Sequence, residues 1–186
     1  MYNKIAEVDR YVRSNDYYTI DEMMLYDRLT AGYLLGTGDK AYEDWFKGLA
    51  WRFPTKVSAN IYFSNQLAQR IYAASDIFLM PSNYEPCGIG QLIALRYGSV
   101  PVVRETGGLK DTIIPYDKYT KQGNGFRFAD YNAHEMMYAL KRALSAYENY
   151  EEWKQIVENA MNSDYSWKES AREYKALYEK LTGSEA

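Results

Sequence analysis

Short apolar runs alternate with amphipathic segments along most of this 186-residue chain. The apolar runs predict β-strands, and the segments where apolar side chains recur three and four positions apart predict helices. The predicted strands cover residues 31–35, 56–62, 76–80, 102–103 and 125–128. The predicted helices between them cover residues 20–29, 40–51, 64–74 and 88–97. Residues 1–19 are polar and rich in Tyr, have no strong period and predict no strand.

Three more helices are predicted to close the chain. The first begins near Asn132, the second spans about residues 149–161 and the third begins at Ser166. In the first and third, Glu135 and Glu169 stand three positions after the first residue, as in a capping box. The side chains predicted to be buried are Met137, Leu140 and Leu144 in the first helix and Ala171, Tyr174, Leu177 and Leu181 in the third.

The alternation of strands and helices predicts an α/β fold, with a single Rossmann-like parallel sheet flanked by helices and with helices at the C-terminus. We assign residues 31–186 to this domain and treat residues 1–30 as an atypical N-terminal segment. Ligands bind such sheets beyond the carboxyl ends of the strands. The loops expected at that edge are residues 36–39, 63–64, 81–88 and 104–109.

Composition excludes several classes of function. The net charge of −3 argues against a nucleic-acid binder with a basic patch. No apolar run approaches the roughly 20 residues that span a membrane. The single cysteine, Cys87, allows no intramolecular disulfide and fits a cytoplasmic protein, and no secretory signal is visible. With one histidine and no acidic cluster at ligand spacing, we expect no metal site and no cofactor.

Residues 81–90 carry the strongest candidate chemistry. Glu85 precedes a proline, which keeps it extended and outside the following helix. Its carboxylate could accept hydrogen bonds from sugar hydroxyls, or it could cap that helix. The N–H groups of Gly88, Ile89 and Gly90 could donate to phosphate and sugar oxygens, or they could form a plain tight turn. Cys87 is a small apolar filler or a pocket residue.

Three other loops at the same predicted edge hold weaker candidates. Thr106, Gly107 and Gly108 could form a second backbone cradle near phosphates, although a Gly-Gly turn alone is weak evidence. Phe63 could stack on an adenine ring or could lie in the core. Gly36 and Gly38 could line the nucleotide side of the cleft.

Several motifs together resemble bacterial glycogen synthase, from about residue 34 to about residue 181. The most specific are Glu85-Pro86-Cys87-Gly88 and Thr106-Gly107-Gly108-Leu109, at this spacing. The match continues through Leu35-Gly36-Thr37-Gly38-Asp39, Met80-Pro81-Ser82, Gln91-Leu92, Pro101-Val102-Val103-Arg104, Gly125-Phe126 and Ser166-Trp167.

The resemblance implies the C-terminal, donor-binding domain of a two-domain GT-B glycosyltransferase. Such an enzyme transfers glucose from ADP-glucose to the 4-hydroxyl end of an α-1,4-glucan, with retention of configuration. It implies that Glu85 holds the donor sugar as the catalytic carboxylate and that Cys87 lies at the donor pocket. ADP-glucose, or ADP, and the glucan are then the expected partners, with no nucleic acid and no membrane.

The chain also departs from this family. It has no counterpart of the N-terminal acceptor domain or of the Arg and Lys that the family places after the first strand of the donor domain. Ile89-Gly90 stands where the family usually has Leu-Thr, which predicts weaker donor binding. We therefore expect the isolated chain to be inactive. The alternatives are a non-catalytic module that binds nucleotide or glucan, and a different sugar-nucleotide transferase of the same fold.

Overall fold

A six-stranded parallel sheet forms the centre of the protein. The computed structural model describes the backbone of residues 4–5 and all of residues 31–183. The strands are β1 Lys4–Ile5, β2 Ala31–Leu35, β3 Val57–Asn60, β4 Ile77–Met80, β5 Val100–Arg104 and β6 Phe126–Phe128. Their order is β3-β2-β1-β4-β5-β6, and every neighbouring pair is parallel. This order is that of a doubly wound α/β sheet, so the predicted fold class is confirmed.

Seven helices connect and follow the strands within residues 31–183. They are α1 Lys40–Arg52, α2 Asn65–Ala74, α3 Gly90–Arg96, α4 Gly107–Thr112, α5 Ala133–Tyr147, α6 Tyr150–Met161 and α7 Trp167–Thr182. Polar side chains begin most of them: Asp39, Ser64, Asn132, Asn149 and Ser166 each accept a hydrogen bond from an N–H of the first turn. No helix of this part of the chain is long and apolar enough to span a membrane.

The two faces of the sheet bury different clusters. Ile77, Leu79, Val100 and Val102 point to one face, where α5 and α6 cover them in the largest apolar cluster. Phe78 and Val103 belong to separate clusters, formed with α2 and α3 in one case and with α3 and α4 in the other. Because neighbouring side chains of a strand alternate between faces, β4 and β5 are buried on both sides.

Two strands differ from the prediction. No strand was predicted in residues 1–19, yet β1 pairs with both β2 and β4 in the middle of the sheet. The strand predicted at residues 102–103 begins earlier, at Val100, so Pro101 lies inside the strand. Pro101 is tolerated because β6 begins only at Phe126, opposite Val102, so β6 needs no N–H from Pro101.

The closing helices confirm one burial prediction and correct another. In α5, Leu140 and Leu144 are buried as predicted, but Met137 is only partly buried, and the buried methionine is Met136. In α7 no residue is buried, and the predicted core residue Leu181 is 72% exposed. The predicted helix at residues 20–29 lies outside the described residues.

Candidate functional site

The predicted ligand loops share one edge of the sheet. Residues 36–39, 61–64, 81–89 and 105–106 follow the carboxyl ends of β2, β3, β4 and β5, and all of these strands run parallel. The strand order reverses between β1 and β4, which is where doubly wound sheets open a crevice. The loop of residues 81–89 therefore stands at the switch point of the sheet.

The loop after β4 exposes two of the residues predicted to meet a ligand and partly buries a third. Glu85 is half-buried, while Cys87 and Ile89 are exposed, Ile89 by 67%. The exposure of Cys87 rules out its alternative role as a buried apolar filler. The N-cap residue of α3 is Ile89, and among the described residues no N–H of this helix donates to the Glu85 carboxylate, so Glu85 does not cap the helix.

Backbone donors are available in the same loop. The N–H groups of Gly88 and Ile89 donate no hydrogen bond to another described residue. Gly88 is buried and adopts a φ of +74°, a conformation that side chains with a Cβ rarely adopt. Gly90 opens α3 against α2 and β4, and a Cβ there would lie 3.2 Å from the Tyr72 hydroxyl oxygen and from Cζ of Phe78.

The loops after β4 and β5 touch through their backbones. A Cβ at Gly107 would lie 2.1 Å from the carbonyl oxygen of Glu85, and one at Gly108 would lie 1.9 Å from that of Cys87. The Gly108 N–H also donates to the Pro86 carbonyl at 3.2 Å. Such close approach admits only glycine, so Gly107 and Gly108 support the loop that carries Glu85. A phosphate cradle at Thr106, Gly107 and Gly108 stays a prediction.

The Gly-Gly segment also begins a helix that the sequence analysis did not predict. α4 spans Gly107–Thr112, and Thr106 precedes it without a side-chain capping bond. Two adjacent glycines are poor helix formers, so the local sequence indicates a turn. The contact with the β4 loop overrides that preference.

Two supporting residues were not predicted as part of the site. Gln91 is fully buried at 0% exposure, and its Nε2 donates to the carbonyl oxygens of Gly88 at 2.9 Å and Cys87 at 3.2 Å. Arg104, at the end of β5, donates from Nη1 to the Asn83 carbonyl at 2.6 Å. Its guanidinium carbon lies 5.3 Å from the centre of the Tyr131 ring. The sequence holds no signal for Gln91, because a Gln in the first turn of a short helix is ordinarily exposed.

The loops after β2 and β3 are open by comparison. A Cβ at Gly36 or Gly38 would meet no atom within 4 Å. The Gly38 N–H donates to Glu43 Oε1 at 3.1 Å, and Asp39 Oδ1 accepts from the Ala41 N–H at 2.9 Å, which begins α1. Phe63 is 83% exposed, so its alternative role in the core is wrong. Stacking on a nucleotide base stays a prediction.

The charged groups near the edge pair among themselves. Glu105, directly after β5, lies 3.4 Å from Nε of Arg127 and 3.9 Å from Nζ of Lys110. Arg127 also donates from Nη1 to the Lys110 carbonyl at 2.7 Å. Among the described residues, no three His, Cys, Asp or Glu side chains come together as metal ligands would. The Glu85 carboxylate takes no part in these ion pairs.

Known proteins resemble this chain in sequence and in fold. The family model of the glycosyl transferases group 1 matches residues 31–160. The glycogen synthase of Clostridium novyi is 58% identical over 148 residues, which are 80% of this chain and 31% of that protein. The glycogen synthase of Clostridium perfringens is 62% identical over 148 residues, again 80% of this chain and 31% of that protein.

A solved structure extends the likeness to nearly the whole chain. The catalytic domain of starch synthase IV from Arabidopsis thaliana, bound to ADP and acarbose, matches with a TM-score of 0.77 and 32% identity. It covers 98% of this chain and 39% of its own. A sucrose-phosphate synthase from Thermosynechococcus elongatus shares the fold, with a TM-score of 0.62 and 21% identity over 99% of this chain and 46% of its own.

The family follows from the extent of these matches. This chain spans about a third of the length of the two glycogen synthases, 31% in each case. The family model covers most of the chain and includes the loops after β2, β3, β4 and β5. The chain belongs to the glycosyl transferases group 1 family.

Proposed function

We propose that this chain is the donor-binding domain of a glycogen synthase, which transfers glucose from ADP-glucose to the 4-hydroxyl end of an α-1,4-glucan with retention. The observation that carries the proposal is the 58% and 62% identity to two proteins named glycogen synthase. The starch synthase structure that covers 98% of this chain holds ADP, which favours an adenine nucleotide here.

Glu85 is the residue that we assign to the donor sugar. It is half-buried at the switch point of the sheet, and its backbone is fixed by contact with Gly107. A carboxylate held there accepts hydrogen bonds from glucose hydroxyls and orients the sugar while the bond between the anomeric carbon and phosphate breaks. The N–H groups of Gly88 and Ile89 donate to the phosphate and sugar oxygens in this proposal.

Phe63 and Cys87 complete the proposed pocket. Phe63 is exposed after β3, and two strands, β2 and β1, lie between β3 and β4, so its ring is free to stack on the adenine. Cys87 stands between the sugar-binding carboxylate and the phosphate-binding amides. Gly36 and Gly38 leave open space beside the nucleotide.

The acceptor side of the reaction lies outside the residues assigned here. GT-B chemistry takes place between two domains, and closure positions the acceptor hydroxyl against the anomeric carbon. We therefore propose that this chain binds ADP-glucose but does not elongate glucan by itself. Incubation with radiolabelled ADP-glucose and glycogen tests this, and label in the precipitated polymer at roughly 1 per second or faster would contradict it.

Calorimetric titration with ADP, ADP-glucose and UDP-glucose tests the donor. We expect ADP and ADP-glucose to bind more tightly than UDP-glucose. Equal or tighter binding of UDP-glucose would favour another sugar-nucleotide transferase of this fold, and binding of glycogen without any nucleotide would favour a glucan-binding module.

A further inference from the structure

A chain of side-chain hydrogen bonds runs beneath the loop that carries Glu85. The Gln91 amide nitrogen donates to the carbonyl oxygens of Gly88 and Cys87, and it also lies 3.3 Å from the Thr112 hydroxyl oxygen. An amide nitrogen has two hydrogens, so these three acceptors share them. The Thr112 hydroxyl in turn donates a hydrogen bond to the Gly108 carbonyl oxygen at 2.6 Å.

The Gly108 N–H closes this chain into a ring, since it donates to the Pro86 carbonyl at 3.2 Å. Gln91 lies in α3, the helix that follows β4, and Thr112 is the last residue of α4, the helix that follows β5. The ring therefore joins the two loops whose backbones already touch at Gly107 and Gly108.

Thr112 is held from the far side as well. Its carbonyl oxygen accepts from Asn124 Nδ2 at 3.2 Å and from the Tyr165 hydroxyl at 2.5 Å. Asn124 is itself 5% exposed, and its Oδ1 accepts from the Ile114 N–H at 2.8 Å. The hydroxyl of Thr112 thus has a fixed position relative to the body of the domain.

We propose that Gln91 and Thr112 form a positioning pair, which holds the Glu85–Gly88 segment in the shape that binds the sugar nucleotide. The proposal rests on the proposed function of this segment. Neither side chain meets the ligand in this account, because Gln91 is fully buried and Thr112 lies beneath Gly108. Both act through the carbonyl groups of the loop, whose N–H groups and carboxylate meet the donor.

The two ends of the Gln91 amide have opposite effects on the stability of the domain. Gln91 Oε1 is buried and accepts no hydrogen bond from a described residue. A buried acceptor without a donor costs free energy, and replacing it with an apolar group of similar shape removes that cost. Gln91→Met removes that cost but also leaves the carbonyls of Cys87 and Gly88 without their donor, so the two effects on stability oppose each other and the domain should remain folded.

Three variants of the full chain test the pair. Gln91→Met removes the amide, Thr112→Val removes the hydroxyl at nearly constant shape, and Thr112→Ser keeps the hydroxyl. Calorimetry with ADP-glucose measures binding, urea unfolding measures stability, and hydrogen exchange of residues 82–90 measures how well the loop is held. We expect Gln91→Met and Thr112→Val to bind about fivefold to tenfold more weakly. Both should exchange faster at residues 82–90, and Thr112→Ser should behave like the unmodified chain.

The outcomes separate the pair from the proposed function. If the unmodified chain binds no nucleotide but Gln91→Met and Thr112→Val still speed exchange at residues 82–90, the proposed function fails and the loop is nevertheless held by the pair. If binding and exchange are unchanged in both variants, the positioning role is overturned. Unfolding of both variants would overturn it too, because the pair would then be structural.

Discussion

A methyl group added at Gly108 would fall 1.9 Å from the carbonyl oxygen of Cys87, whereas one added at Gly38 would meet no atom within 4 Å. Both glycines lie at the same edge of one parallel sheet, Gly38 in the loop after β2 and Gly108 in the first turn of α4, which follows β5. The loop after β4 and the segment after β5 are held to each other by backbone contact, and we call this side the closed half. The loops after β2 and β3 make no such contact, and we call that side the open half. Glycine therefore has two different roles at this edge. In the closed half it lets two backbone segments lie in contact, and in the open half it leaves space unfilled.

Burial follows the same division. β4 and β5 are almost fully buried, whereas every residue of β2 and β3 is only partly buried. In the proposed function, the sugar and phosphate of the donor need polar groups at fixed positions, and we assign them to the half formed by the loops after β4 and β5. A nucleotide base needs an accessible flat surface, and we propose the exposed Phe63 ring, in the loop after β3, for that role.

The largest expected effect is on folding of the closed half. Gly108→Ala would place a methyl group against the Cys87 carbonyl. The clash could be relieved only by moving the backbone of Cys87, which would displace the loop after β4. We expect a loss of about 3 kcal/mol in the free energy of unfolding, measured by urea denaturation. Gly38→Ala is the matched control and should change it by less than about 0.5 kcal/mol. Equal effects of the two substitutions would remove the distinction between the halves.

The next largest effect concerns the donor sugar. Glu85→Gln keeps the size of the side chain and removes its charge. Because hydrogen bonds to a charged group contribute about 1.5–3 kcal/mol, we expect ADP-glucose to bind at least about tenfold more weakly. ADP lacks the sugar and should bind almost as before. A parallel loss for both ligands, by calorimetry, would make Glu85 a structural residue.

A smaller effect is expected in the open half. Phe63→Ala removes an exposed ring, so the free energy of unfolding should not change. If the ring stacks on adenine, ADP and ADP-glucose should both bind about threefold to tenfold more weakly, as stacking contributes about 0.5–1.5 kcal/mol. Phe63→Tyr keeps a stacking surface and should restore the affinity. Unchanged binding in Phe63→Ala would place the base elsewhere.

The sequence predicted those parts of the fold and of the site that depend on residues close together along the chain. Apolar periodicity predicted β2, α1, α2 and β4 to within about two residues, because each of these elements is decided by its own pattern of side chains. The shared edge of the ligand loops followed from the parallel topology alone. The motif at residues 85–88 was found without knowledge of the structure.

Contacts between distant segments were not predictable in this way. α4 begins at Gly107, where a glycine pair locally favours a turn, and only the backbone of residues 85–87 shows why glycine is needed. Gln91 looks like any polar residue of a short helix until its burial is known. The apolar stripe of α7 predicted a buried face, but no described element covers it.

The smallest expected effect tests how far water is excluded from the closed half. Burial raises the pKa of Asp76, which precedes β4, and its Oδ2 accepts no hydrogen bond from a described residue. The folded state therefore holds the proton more tightly than the unfolded state, and stability falls as the pH rises from about 4 through the raised pKa. Asp76→Asn removes this loss.

The size of the stabilisation by Asp76→Asn should accordingly depend on pH. We expect the variant to match the unmodified chain near pH 3.5 and to exceed its Tm by about 1–2 °C at pH 7. Thermal unfolding followed by circular dichroism at both pH values measures this. A gain that is the same at both pH values would show that the carboxylate is not penalised by burial.

The central claim is that the loops after β4 and β5 bind the sugar and phosphates of the donor, and hydrogen exchange with and without saturating ADP-glucose tests it most directly. We expect hydrogen exchange at residues 82–90 and 104–112 to be slower when ADP-glucose is bound, and the N–H groups of Gly88 and Ile89 should be among those protected. Saturable binding that leaves the exchange of both segments unchanged would contradict it.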